Sequence, residues 1–150
     1  MQARWNEVFK PDSGIVFEIR AYGITPKDYD VLLPLLIQRY PAVYSEDGER
    51  RDLPDYSTIT RRRNLVTTTL ELNILDVRVK CWFWEDDELD LDLLPNDVDS
   101  EAKAEGIFSL MKTIAETLKK RVLLTAENSG ATQQWSEEHA ICAFDPPAEF

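Results

Sequence analysis

Glycine is scarce in this chain, with five in 150 residues, and histidine occurs once. So few glycines leave no Gly-rich loop ahead of a helix, the device that cradles phosphates in nucleotide-binding folds. One histidine, His139, and two distant cysteines, Cys81 and Cys142, are too few ligands at the wrong spacing for zinc. Two cysteines also make no disulfide framework, which points to a reducing, cytoplasmic compartment. No stretch approaches the roughly 20 apolar residues of a membrane span, and the opening MQARWNEVFKPDSG lacks the apolar core of a signal peptide. Basic residues are outnumbered, 17 against 28 acids, for a net charge of −11. That balance disfavours nucleic-acid binding, which needs a surface able to replace phosphate counterions. It favours fast, salt-sensitive association with cationic partners.

What is present is an ordinary globular balance, 43% hydrophobic and 30% charged. With no linker, repeat or low-complexity tract, a single domain over residues 1–150 is expected. GIVFEIRAYG alternates, with Phe17, Ile19 and Ala21 opposite Val16, Glu18 and Arg20, and reads as a strand. ITPKDYDVLLPLLIQRYP reads as a helix: Thr25 can cap it, Pro26 suits its first turn, and Asp28 completes a capping-box spacing. Pro34 inside it removes a backbone donor and predicts a kink or early break. Residues 42–64 are polar, hold the Asp47-Gly48 turn signal, and carry Arg50, Arg51 and Arg61 to Arg63. LVTTTLELNI and LDVRVKCWFW are β-rich, with a turn expected at Asn73 to Asp76. In the second, Val77, Val79, Cys81 and Phe83 share one face and Arg78, Lys80, Trp82 and Trp84 the other. SEAKAEGIFSLMKTIAETLKKR has unbroken helical spacing through Ile107, Leu110, Met111, Ile114 and Leu118, and VLLT and HAICAF read as strands. This order predicts an α+β fold: one antiparallel sheet, or a mixed one, with two main helices packed on one face. In the mixed form VLLT would lie parallel to a central strand.

No catalytic constellation emerges. His139 and Cys142 stand three apart, so in a strand they point to opposite faces. A Cys–His nucleophile pair would need Cys81 brought over from another strand, and two buried thiols are the simpler reading. Asp97, Glu101 and Lys103 faintly resemble a metal-dependent nuclease set, but they open a helix where adjacent strand positions are needed. The chain is therefore expected to be non-catalytic, with no cofactor and no metal.

The unusual stretch is WFWEDDELDLDLLP, residues 82–95, with six carboxylates in eight positions after two tryptophans. Leu89, Leu91 and Leu93 alternate with Glu88, Asp90 and Asp92, so one strand face can enter the core while the other carries only acids. A straight strand sets same-face carboxylates about 6.5 Å apart, too spread for a calcium cage, and one strand face cannot supply the two facing acids of a glycosidase. Two readings remain. The acids are a solvated strand face that guards an edge, or they form a cation-seeking surface continuing through Asp97, Asp99, Glu101 and Glu105. In the second reading Trp82 and Trp84 anchor a partner while Glu85, Asp86, Asp87, Glu88, Asp90 and Asp92 steer it. The Arg50–Arg63 segment can pair with this acidic run or hold an anionic ligand.

Residues 107–128, IFSLMKTIAETLKKRVLLTAEN, resemble a segment of small cytosolic bacterial immunity proteins of polymorphic toxin systems, in which a helix with a basic last turn leads into a short strand and a Glu-containing turn. The resemblance implies a protein that neutralises a cognate toxin by binding it, and transfers no functional residue. An acidic inhibitor of this kind suits a basic, cytoplasm-acting toxin such as a nuclease. The alternatives are an enzyme or anion-binding protein built on the Arg50–Arg63 segment, and an adaptor subunit that dimerises through the tryptophan face.

Overall fold

The structure, a computed structural model, describes residues 4–10, 15–127 and 140–148. His139 and most of the turn expected at residues 127–130 lie outside the described residues. Among the described residues are α1 (Trp5–Val8), β1 (Phe17–Tyr22), α2 (Pro26–Arg39), β2 (Ala42–Glu46), β3 (Glu49–Arg51), α3 (Tyr56–Arg62), β4 (Thr68–Ile74), β5 (Val77–Cys81), β6 (Glu88–Leu93), α4 (Glu101–Leu118), β7 (Val122–Ala126) and β8 (Ala140–Phe144). The strands form one sheet in the order β3-β2-β4-β5-β6-β1-β7-β8. Every pairing is antiparallel. The fold is α+β. VLLT, in β7, runs antiparallel to β1, so the sheet is not mixed.

Period-two alternation decides which face is covered. Phe17, Ile19, Ala21, Leu70, Leu72, Ile74, Val77, Val79, Cys81, Leu89, Leu91 and Leu93 are all buried, in one core with Tyr29, Leu32, Leu33 and Leu36 of α2 and Ile107, Leu110, Met111 and Ile114 of α4. Each Val, Leu, Ile, Phe or Met side chain among them contributes about 1.5–3 kcal/mol on leaving water. The opposite sheet face carries Glu18, Arg20, Tyr22, Lys80, Glu88, Asp90 and Asp92, and among the described residues no helix covers it.

Local chemistry sets the boundaries. Thr25 and Asp28 close the capping box on α2, and Ser100 caps α4 through Lys103 N–H. Of the expected kink or early break, the break does not occur: α2 runs from Pro26 to Arg39 through Pro34. Pro34 is exposed, so its ring and the carbonyl it leaves unbonded both face water. The polar stretch 42–64 is likewise not a loop. Asp47 and Gly48, both at positive φ, turn the β2–β3 hairpin, and Asp55 caps α3.

The β4–β5 hairpin turns on Leu75 and Asp76, at φ 51° and 70°, where Asn73 Oδ1 accepts from Asp76 N–H at 2.9 Å. Two side-chain-bearing residues in the left-handed region, one of them an exposed leucine, are the costly way to make this turn. The double change Leu75→Asn, Asp76→Gly is expected to raise stability by about 1 kcal/mol in urea unfolding, and a loss of stability would contradict this account of the turn.

Candidate partner-binding surface

The chain leaves regular pairing after Cys81, whose partners are Leu70 and Leu91, and returns to it at Glu88. Between them Phe83 takes φ 57° while its ring stays buried. A left-handed non-glycine residue costs energy and persists only where its surroundings over-determine it. Here they do. Tyr29 and Tyr56 stack at 4.0 Å and 3°, and both rings meet Phe83. The buried Tyr29 hydroxyl is shared between the carbonyl oxygens of Glu85 (3.0 Å) and Glu88 (2.6 Å). The Tyr56 hydroxyl donates to Asp86 Oδ1 at 2.8 Å and accepts from Arg63, which also donates to Phe83 O at 3.1 Å and pairs with Asp86 at 3.0 Å. Burial pushes the pKa of both tyrosines up, so they stay protonated. The acidic turn is therefore held from inside, by residues of α2 and α3.

This anchorage presents the tryptophans. They are not on a regular strand, as the alternation implied, yet they share a side: their rings are parallel within 8°, centroids 5.8 Å apart. Lys80 ammonium lies over the Trp82 ring, 4.3 Å from its centroid. Trp82 is half-buried, whereas Trp84 is 64% exposed. Glu85, Asp86 and Asp87 are exposed, and Glu85 and Asp87 form no ion pair with the described residues.

The remaining predicted acids sit differently. β6 is an interior strand, flanked by β5 and β1, so Glu88, Asp90 and Asp92 neither guard an edge nor stand fully in water. The all-acid outer face is also interrupted. Asp92 faces Lys80 on β5 and Glu18 on β1; Asp90 faces Arg20; Glu88 faces Tyr22. Arg20 binds Glu18 closely, Glu88 at 2.6 Å and Asp90 at 3.8 Å, and donates to the Tyr22 hydroxyl at 3.1 Å. Burial opposes its charge, but the hydrogen bond to Tyr22 and the carboxylates of Asp90 and Glu18 outweigh it, and its pKa is raised. Asp99, Glu101 and Glu105 belong to the helix layer on the other side of the sheet, so the acidic surface does not extend to them.

Glu18, Asp90 and Asp92 each offer an oxygen within 4.8 Å of the others, a convergence that single-strand spacing hides because Glu18 comes from β1. Burial, then the neighbouring Glu18 carboxylate, pushes Asp90 up to about 8 and raises Asp92 as well. Asp90 Oδ1 is buried without a hydrogen-bond partner. This cluster holds its charge down by two means, the guanidinium of Arg20 and a retained proton. Glu18, Arg20 and Tyr22 were absent from the sequence reading of the site. The signal was there, since a strand whose outer face reads Glu, Arg, Tyr can pair with one reading Glu, Asp, Asp.

The arginine segment is largely engaged within the chain: Arg51 and Arg62 pair with Glu46, Arg51 also with Glu49, and Arg63 with Asp86. Cys81 and Cys142 are free thiols pushed by burial up to about 12 and about 11, which leaves little thiolate at neutral pH. Among the described residues no helix is long and apolar enough to cross a membrane. No protein-family model, curated protein or solved structure matches this chain.

Proposed function

We propose that this chain is a non-catalytic binding protein that captures a cationic protein on Trp84, the Trp82 stacked on it, and the turn Glu85–Asp87. In its particular form the reading is an immunity protein that neutralises a basic, cytoplasm-acting toxin such as a nuclease. The single observation that carries the docking reading is the presentation of Trp84: a large aromatic side chain, 64% exposed, on a turn fixed by two buried tyrosines and an arginine. An exposed ring on a fixed turn, beside Glu85 and Asp87, which form no ion pair with the described residues, supplies both an anchor and steering, at little cost in ordering. The net charge of −11 supports a cationic partner over nucleic acid. The immunity form rests on the resemblance of residues 107–128, which build α4 and β7 in the core and so bear on the scaffold, not on the docking surface.

The test expresses the products of the neighbouring genes one at a time, scores growth, and co-expresses the native chain with any that proves toxic. The native chain is expected to protect. Glu85→Lys with Asp87→Lys should slow association about tenfold and weaken its salt dependence, and Trp84→Ala should speed dissociation about tenfold. Absence of protection by the native chain counts against the immunity form. Unchanged rates in all these variants count against the surface.

A further inference from the structure

We propose that the cleft between Leu65 and Trp84 is a slot for an arginine side chain of the partner, an inference that rests on the binding reading above. Pairing of β4 with β5 ends at Leu70 and Cys81, and the left-handed Phe83 carries the chain away from the start of β4. The separation leaves a cleft of about 450 Å³, lined on one side by Arg63 to Thr68 and on the other by Trp82, Phe83 and Trp84. That is within the size range of sites that enclose a ligand group.

Three features of the cleft point to a guanidinium. Its walls end in two strongly exposed apolar side chains, Leu65 at 85% and Trp84 at 64%, suited to an aliphatic stem and a planar cation respectively. Thr68, only 1% exposed, is among the lining residues, and its buried hydroxyl has no hydrogen-bond partner among the described residues. A buried hydroxyl without a partner is unfavourable, and a donor entering the cleft would satisfy it. The lining itself carries one acid, Asp47, and one base, Arg63, and the excess of negative charge comes from Glu85, Asp86 and Asp87, exposed residues that follow Trp84 in the chain. Arg63 is already bound to Asp86, the Tyr56 hydroxyl and the Phe83 carbonyl, and Lys80 lies on Trp82. Arginine fits better than lysine because its planar, weakly hydrated fork can lie on an indole and donate at its edge, whereas an ammonium is a strongly hydrated point charge.

The probe is a pair of blocked Gly-Ser peptides carrying three arginines or three lysines, titrated into the isotopically labelled protein and followed at the Trp84 indole N–H and the Thr68 amide. The arginine peptide is expected to bind about two- to fivefold tighter, the range of an exposed cation–π contact. Thr68→Val and Trp84→Leu should each bring it down to the lysine level, with Thr68→Val at least as stable as the native chain. Equal binding of both peptides, lost in Glu85→Lys with Asp87→Lys, overturns the arginine slot and leaves the acidic docking surface standing. A preference that survives both Thr68→Val and Trp84→Leu overturns the slot as well. If neither peptide moves the two signals, the slot and the binding reading are overturned together.

Discussion

Replacing Arg20 with methionine is expected to cost about 3–5 kcal/mol of folding stability at pH 8, the range for removing one member of a buried ion pair. Methionine keeps most of the side-chain volume, so the loss reads charge and not packing. Arg20 is the cation among Glu18, Glu88 and Asp90, all of them at least half-buried on the sheet. Without it, Glu18 and Asp90, whose oxygens approach within 4.8 Å, and Glu88 on the same face must coexist as charges or take up protons. The sign follows. The variant's folded Glu88 and Asp90 have pKa values raised further above their unfolded values, so the folded form holds more protons than the unfolded form, and stability falls as pH rises. Urea unfolding at pH 5 should therefore show a smaller loss than at pH 8. An equal loss at both would mean that the guanidinium acts by packing alone.

The same residues show where sequence reasoning stops. Alternation in residues 88–93 correctly assigned Leu89, Leu91 and Leu93 to the core, because period two is a property of one strand and needs no knowledge of its neighbours. What surrounds Glu88, Asp90 and Asp92 is a property of the sheet. Strand β1 pairs with β6 across 66 to 76 residues of sequence, Tyr22 opposite Glu88 and Phe17 opposite Leu93, and no local pattern announces that pairing. Reading the run as an outer acidic face therefore treated an interior strand as if it stood alone. The tryptophans illustrate the converse. They were placed side by side from strand alternation, and they are side by side, but through a left-handed Phe83 that Tyr29, Tyr56 and Arg63 hold in place from two different helices or their ends. Pro34 and the polar stretch 42–64 differ for a simpler reason: tertiary packing of Tyr29, Leu33 and Leu36, and of Tyr44, Tyr56 and Ile59, overrides weak local preferences.

Asp90→Asn should act in the opposite direction to the arginine change and stabilise the protein at pH 8 by about 1–3 kcal/mol, the cost of a buried polar group left unsatisfied. Asp90 Oδ1 has no partner, and burial with the adjacent Glu18 carboxylate holds its proton up to about pH 8. A folded pKa above the unfolded one gives stability that is fully present below about pH 4 and is lost as pH rises through about 8. Glu46 and Asp145, held below the usual carboxylate range by Arg62 and Arg121, and Asp55, held there by Thr58, work the other way: their contributions are full above about pH 4 and are lost as pH falls below it. The native protein should therefore be most stable near pH 5 and weaken towards pH 8. Asparagine carries no titrating proton, so the variant's profile should flatten between pH 5 and 8, with a melting temperature several degrees above that of the native chain at the upper end. The amide can also donate to Glu18 or Asp92 where the carboxylate could only repel them. A variant that unfolds at the native temperature at pH 8, with the native slope between pH 5 and 8, would show that Asp90 is ionised and solvated in the folded protein, and that Arg20 alone balances this face of the sheet.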